Sequence, residues 1–203
     1  MLYLKGNQRL SIINDEYADS PREWSNLGYF ITCESDTESP DSNPAIQGII
    51  KSTGDEATDQ DDHIKLITQE IKEQLGEIVL TIWPVVKYEH NAVSYKLGTV
   101  HGFDYSNNGF YIITNRSIKE TGAEKKDWQK IVENELKIYN QWFNGEVYYY
   151  ELCERGEFKP CPTCGHNPIA EWKEIDRSGS YYSIEEIFGM IGSKQADWEE
   201  IEE

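Results

Sequence analysis

A chain that sets 37 Asp and Glu against 19 Lys and Arg has to fold against its own charge, −18 over 203 residues. Repulsion of this size opposes the compact state, and folding gains nothing from it. The acids concentrate in three places: Glu34, Asp36, Glu38 and Asp41; Asp55, Glu56, Asp59, Asp61 and Asp62; and Asp197, Glu199, Glu200, Glu202 and Glu203. Such a field repels nucleic acid and anionic membranes and attracts proteins built to hold nucleic acid.

The counterweight is aromatic. Thirteen Tyr and six Trp argue against wholesale disorder, because disordered chains are poor in such residues. No apolar run approaches the roughly 20 residues of a membrane span. The start, Met1-Leu2-Tyr3-Leu4-Lys5-Gly6, lacks the basic head and long apolar stretch of a signal peptide, so a cytoplasmic protein is expected.

Period and punctuation organise the chain. Residues 2–5 and 9–14 read as strands joined at Gly6-Asn7, and 29–33 as a third. From Glu34 to Asp62 the chain is rich in Asp, Ser, Thr, Gly and Pro, with one apolar island at Ile46 to Ile50, and reads as a long acidic surface loop or insertion. Ile64, Ile67, Ile71 and Leu75 follow the helical period over 62–75, with Gly76 as cap. Residues 77–88 read as a buried strand in which Pro84 marks an edge, a bulge or a break. Strands follow at 92–95 and 109–114, with a turn at Asn107-Asn108-Gly109.

The strongest helical pattern is 125–143, where Trp128, Ile131, Val132, Leu136, Tyr139 and Phe143 share one face. Residues 146–152 and 170–175 read as a hairpin with a long connection. Ser183 and Glu186 form a capping box for a last helix, 184–191. Strands and helices do not alternate regularly. The expectation is therefore an α+β fold, a mostly antiparallel sheet with two or three helices packed on it. It places a single domain over 1–192, with a cysteine-knuckle hairpin insertion at 153–168 and an acidic tail at 193–203.

Four cysteines are too few for a disulfide scaffold, and their spacing points to metal. Cys161-Pro162-Thr163-Cys164-Gly165-His166 can grip a tetrahedral Zn²⁺ from a tight turn, with Cys153 and His166 as the remaining ligands and Cys33 as a distant substitute. The alternatives are a reduced metal-free turn and a redox dithiol. A zinc here would be structural and staple the hairpin connection.

Catalytic signatures are missing. There is no phosphate-cradling Gly-rich loop followed by Lys and Ser or Thr, no nucleophile elbow and no His-Glu-x-x-His. His90, His101 and Asp104 could bind a metal or move protons if a hairpin register brought them together. Asp55, Asp59 and Asp61 lack the glycine and closing Glu of a calcium loop. Basic residues form no stripe beside the aromatics, which disfavours direct nucleic-acid binding.

Three segments together resemble a group of uncharacterised bacteriophage proteins. Ser20-Pro21-Arg22-Glu23-Trp24-Ser25-Asn26-Leu27-Gly28 is similar to that group's Ser-Pro-Arg-Glu-Trp-Asp-Asn-Leu-Gly, with Ser25 in place of Asp. Asp104 to Ile113, then Ile138 to Tyr148, are similar to its Gly-Phe-Ile-Tyr strand and a helix leading into Gly-Asp-Val-Tyr-Gly. Glu174 to Tyr182 is similar to its Asp-Ser-Cys-Trp-Gly-Phe-Tyr-Gly, without the Cys and Trp. The resemblance implies a viral accessory protein made in a bacterial cytoplasm and attaches no activity to any residue. On the residues alone, Arg22 and Glu23 could pair while Trp24 anchors its loop on the core.

The function expected is a non-enzymatic, phage-encoded inhibitor of a bacterial nucleic-acid-targeting defence system, of the anti-CRISPR or anti-restriction type. Its acidic surface would occupy a basic nucleic-acid site, with Asp55, Glu56, Asp59, Asp61 and Asp62 leading and Glu199 and Glu200 second. The partner would be a host nucleic-acid-binding enzyme. In a variant, the aromatic surface binds the partner and the acids only aid solubility. The other readings are a small metal-dependent phage enzyme using His90, His101 or Asp104, and a zinc-stapled adaptor.

Overall fold

The computed structural model describes residues 1–34, 38–156, 163–164 and 171–201. The chain is α+β and forms two compact units, Met1–Asp19 with Gln141–Glu203, and Ser20–Asn140. The first unit is discontinuous in sequence, because the N-terminal strands pair with segments more than a hundred residues away.

In the first unit, β1 (Leu2–Lys5), β2 (Gln8–Asn14), β7 (Tyr148–Arg155), β8 (Trp172–Tyr181) and β9 (Glu199–Ile201) form an antiparallel sheet in the order β8-β7-β2-β1-β9. Register puts Tyr3 opposite Leu10, Leu10 opposite Leu152, and Ile12 opposite Tyr150, so these side chains share one face. On that face lies α5 (Ile184–Met190), whose Ile187 and Phe188 are buried with them. Half of the expected capping box is made: Ser183 Oγ accepts from Glu186 N–H, but Glu186 accepts from Tyr182 N–H rather than from Ser183, each at 3.2 Å. The expected acidic tail is instead a buried anchor and an edge strand. Trp198 packs 6.3 Å from Phe188, and Glu199–Ile201 pairs with β1. One buried indole, worth a few kcal/mol of apolar burial, outweighs the local acid excess.

In the second unit, β3 (Tyr29–Thr32), β4 (Val79–Glu89), β5 (Val93–Leu97) and β6 (Tyr105–Thr114) form an antiparallel sheet in the order β3-β6-β4-β5. Helices cover both faces. On one face, α1 (Pro44–Glu56) and α2 (Gln60–Glu70), with a π-helical turn at Ile71–Leu75, bury Ile46, Ile49, Ile50, Ile67 and Ile71 against Ile31, Phe110 and Ile112. On the other, Tyr139 of α4 (Trp128–Phe143) meets Phe30 and Tyr95 at ring distances of 5.4 and 5.7 Å. A short helix, α3 (Ile118–Thr121), precedes α4.

Two sequence expectations fail in this unit. Residues 34–62 are not one long loop: the apolar island is the buried face of α1. Ile46, Ile49, Ile50 and Thr53 follow the helical period, and the Thr53 hydroxyl donates to Ile49 O at 2.7 Å, so a polar residue completes an apolar stripe. Asn43 caps Ile46 N–H, and Pro44 occupies the first turn, where its missing N–H costs nothing. The turn expected at Asn107–Gly109 lies within β6, opposite the bulge between Val85 and Lys87 of β4. The chain reverses earlier, beyond Gly98, whose φ is +110°. Pro84 lies just past the last β4–β5 pair, Val85 with Leu97, so its lack of an N–H leaves no ladder bond unmade on that side.

Candidate functional site

The five central acids sit where α1 ends and α2 begins. Asp59 is the N-cap of α2, accepting Asp62 N–H at 2.9 Å. Asp62 accepts from Thr58 N–H at 3.1 Å and from its hydroxyl at 3.2 Å. These two carboxylates close the connection, and with Asp61 they stand at a helix N-terminus, where negative charge is favoured. His63 braces the same corner: its Nε2 lies 3.0 Å from Ile50 O, and its ring meets Phe110 edge-on at 5.1 Å.

Asp55 and Glu56 differ. They occupy the last turn of α1, which holds no basic residue and where the helix dipole disfavours acid. Both are exposed, and neither side chain forms a hydrogen bond or ion pair with another described residue. Glu199 and Glu200 are exposed on β9, the edge of the first unit's sheet. There, charge discourages pairing with another strand.

All four sheet edges carry such a safeguard. Asn140 grips β5, accepting Tyr95 N–H at 2.8 Å and donating to Tyr95 O at 3.0 Å. On β3, Asp41 accepts Phe30 N–H at 2.6 Å while its own N–H donates to Phe30 O at 3.0 Å, and Ser39 Oγ accepts Thr32 N–H at 3.1 Å. Strand β8 departs from the register of β7 twice, and Ser180 there takes a φ of +64°. Side chains, rather than a free strand edge, are left for recognition.

The Ser-Pro-Arg-Glu-Trp segment has a structural answer. Arg22, its side chain 4 % exposed, forms a bidentate pair with Asp41 at 2.9 and 2.7 Å, reaches Glu135 at 3.0 Å and donates to Gly28 O at 2.8 Å. Glu135 also accepts Leu27 N–H at 2.9 Å and a hydrogen bond from the Tyr111 hydroxyl. That hydroxyl accepts Gly28 N–H at 2.9 Å. Burial works to lower the Arg22 pKa, but hydrogen bonds and charge from Asp41 outweigh it and the guanidinium is held charged. Burial, then the charge of Glu135, raises the Tyr111 phenol. The expected Arg22–Glu23 pair is not the one made, because the partners come from other elements. Trp24 is about half exposed and does not bury as an anchor.

A recess of about 500 Å³ lies in the second unit, lined by Glu34, Lys87, Glu89, Phe103, Asp104 and Tyr105 among others. Lys87, almost fully buried, donates to Glu34 at 2.8 Å and pairs with Glu89 at 2.6 Å. Burial would lower its pKa, yet these two hydrogen bonds raise it, so the amine stays protonated. At the rim, His90 Nδ1 lies 3.9 Å from Asp104. Of the His90, His101 and Asp104 trio, the fold brings that pair together. His101 is exposed in the same connection and forms no ion pair with another described residue.

For the metal ligands, Cys161 and His166 lie outside the described residues, as does most of the 153–168 knuckle. Cys164 is exposed, and Cys153 is buried in β7. Arg9 Nη2 approaches Cys153 Sγ at 3.8 Å while its guanidinium lies over Trp172 at 5.0 Å, so a cation already sits beside that sulfur. Among the described residues no group of three or more His, Cys, Asp and Glu is arranged to hold a metal. Nor is any described helix long and apolar enough to cross a membrane.

Sequence reasoning missed Asp41, Glu135, Lys87 and Phe103. Asp41 and Glu135 meet Arg22 across 19 and 113 residues and Lys87 meets Glu34 across 53, separations that no local pattern encodes. Phe103 had a legible signal: an aromatic after Gly102 in a polar connection, with no periodic neighbours. No known family, curated protein or solved structure matches the chain.

Proposed function

We propose that this protein is a non-enzymatic inhibitor that uses the α1–α2 corner to occupy a basic nucleic-acid-binding site on a host protein. The observation that carries this reading is the placement of Asp55 and Glu56. They stand at a helix end that disfavours them, exposed, on a hairpin braced by Asp59, Asp62 and His63. Local stability does not account for them, whereas a partner whose Lys and Arg rows accept about one negative charge per 1.7 Å of duplex does. Carboxylates held on a rigid helical corner bind such rows with less ordering cost than a loop would. The sequence resemblance supports a phage setting alone; the anti-defence role, with a nucleic-acid-targeting enzyme as the partner, rests on the acidic corner.

The test uses Asp55→Asn, Glu56→Gln and Asp61→Asn together, which leaves the Asp59 and Asp62 caps intact. The parent chain should recover a nucleic-acid enzyme from host lysate at low salt and release it at about 0.5 M, because charge-driven binding falls steeply with salt. It should also displace DNA from that enzyme. Equal recovery and displacement by the triple variant would overturn the proposal.

A further inference from the structure

We infer that the recess beside Phe103 is a receptor for an arginine-class side chain of a protein partner. The inference deepens the basic-partner reading above by adding a second, chemically distinct contact. Three carboxylates, Glu34, Glu89 and Asp104, face a single ammonium, that of Lys87. Lys87 fastens Glu34, whose side chain is 7 % exposed, and draws in Glu89, which remains 59 % exposed. Asp104 is 38 % exposed, with His90 Nδ1 at 3.9 Å. The mouth of the recess is therefore negative, with its floor held by a buried ion pair.

The wall is aromatic. Phe103 is fully exposed and Tyr105 partly so. A guanidinium favours this combination of π faces with carboxylates that can accept paired N–H bonds. The wall is also braced. Asn107 accepts Val100 N–H at 3.1 Å and donates to Val100 O at 2.9 Å, closing the connection on itself. Glu89 N–H donates to Asp104 O at 3.0 Å, and the Tyr88 and Tyr105 rings lie 5.0 Å apart. A Cβ on Gly102 would fall 2.8 Å from the Tyr105 ring, so this close approach requires glycine. An exposed phenyl on a connection fixed at both ends is prepared for a contact it does not make with the described residues.

The probe is acetyl-Gly-Arg-Gly-amide, with the citrulline tripeptide as its uncharged isostere, followed by amide shifts in the whole protein. At millimolar concentration the arginine peptide should shift residues 87–89 and 103–106, and the citrulline peptide should not. Asp104→Asn and Phe103→Ala alter exposed side chains, so circular dichroism should report an unchanged fold. Each should weaken arginine binding about tenfold, as expected for loss of one charged hydrogen bond or cation–π contact. Equal shifts from citrulline, no shift from arginine, or undiminished binding by both variants would overturn the inference. The Asp55→Asn/Glu56→Gln/Asp61→Asn protein should bind the peptide like the parent. If it loses binding, the peptide was held at the helical corner and the recess is not a receptor. If that variant loses only the macromolecular partner, the two sites are separable.

Discussion

Two sets of carboxylates in the second unit carry the same charge and do opposite work. Asp41 and Glu135 close around the buried Arg22, each accepting at least one backbone N–H as well. The carboxylates of Asp55 and Glu56 face water at a helix end with no hydrogen bond or ion pair to another described residue. The first pair joins the segment before β3, the β3 edge and α4; the second joins nothing among the described residues. In a protein of this charge, a count of acids therefore says little about stability, whereas the partner of each acid says a great deal.

Removing the cation should have the largest effect. Arg22→Met leaves two largely enclosed carboxylates, 16 % and 15 % exposed, uncompensated and should cost about 3–5 kcal/mol in urea unfolding. Adding Asp41→Asn and Glu135→Gln should restore part of that loss. A single Arg22→Met cost under about 1 kcal/mol would mean that the buried set is no more important than the exposed one.

A moderate effect should appear at high pH. The phenols of Tyr111, Tyr139 and Tyr150 are raised, first by burial, with carboxylates adding to the shift at Tyr111 and Tyr150. The folded state keeps protons that the unfolded state releases, so stability is full below the unfolded phenol value of about 10 and falls as pH rises above it. Urea midpoints between pH 8 and 11 check this, and Tyr111→Phe should flatten the decline while costing about 1–3 kcal/mol at neutral pH. A midpoint that rises over this range would contradict the assignment.

The smallest effects lie at the corner, where they divide the acids by role. Asp59→Ala removes a cap and should cost about 1 kcal/mol. Asp55→Asn with Glu56→Gln should be neutral or stabilise by a few tenths of a kcal/mol, because unfavourable helix-end charge is removed. Thermal melts of the two variants measure the contrast directly. Equal destabilisation would place Asp55 and Glu56 among the structural acids and weaken the case for a partner.

Where elements rest on local pattern, they were legible. The hairpin at Gly6-Asn7, the apolar stripe of α4, the N-cap at Ser183 and the glycine at 76 each depend on residues a few positions apart. Residues 44–56 were missed because polar side chains dilute the stripe of α1 and Thr53 stands where an aliphatic was sought. The tail was misread because Trp198 anchors through Phe188, ten positions earlier, and Glu199–Ile201 pairs with β1 at the other end of the chain. Of the candidate site, the acids at 55–62 were legible as charge but not as a helical corner. The recess at Lys87 was not legible at all, since Glu34, Glu89 and Asp104 meet there only through the pairing of β4 with β6 and the nearby end of β3.

Composition and short-range spacing alone determined the acid excess, the aromatic core material and the α+β class, because these follow from residue type and periodicity. Only the tertiary structure decided which carboxylates are spent inside the fold. A charge is structural or free according to what lies within a few ångströms of it, and those neighbours arrive from anywhere in the chain.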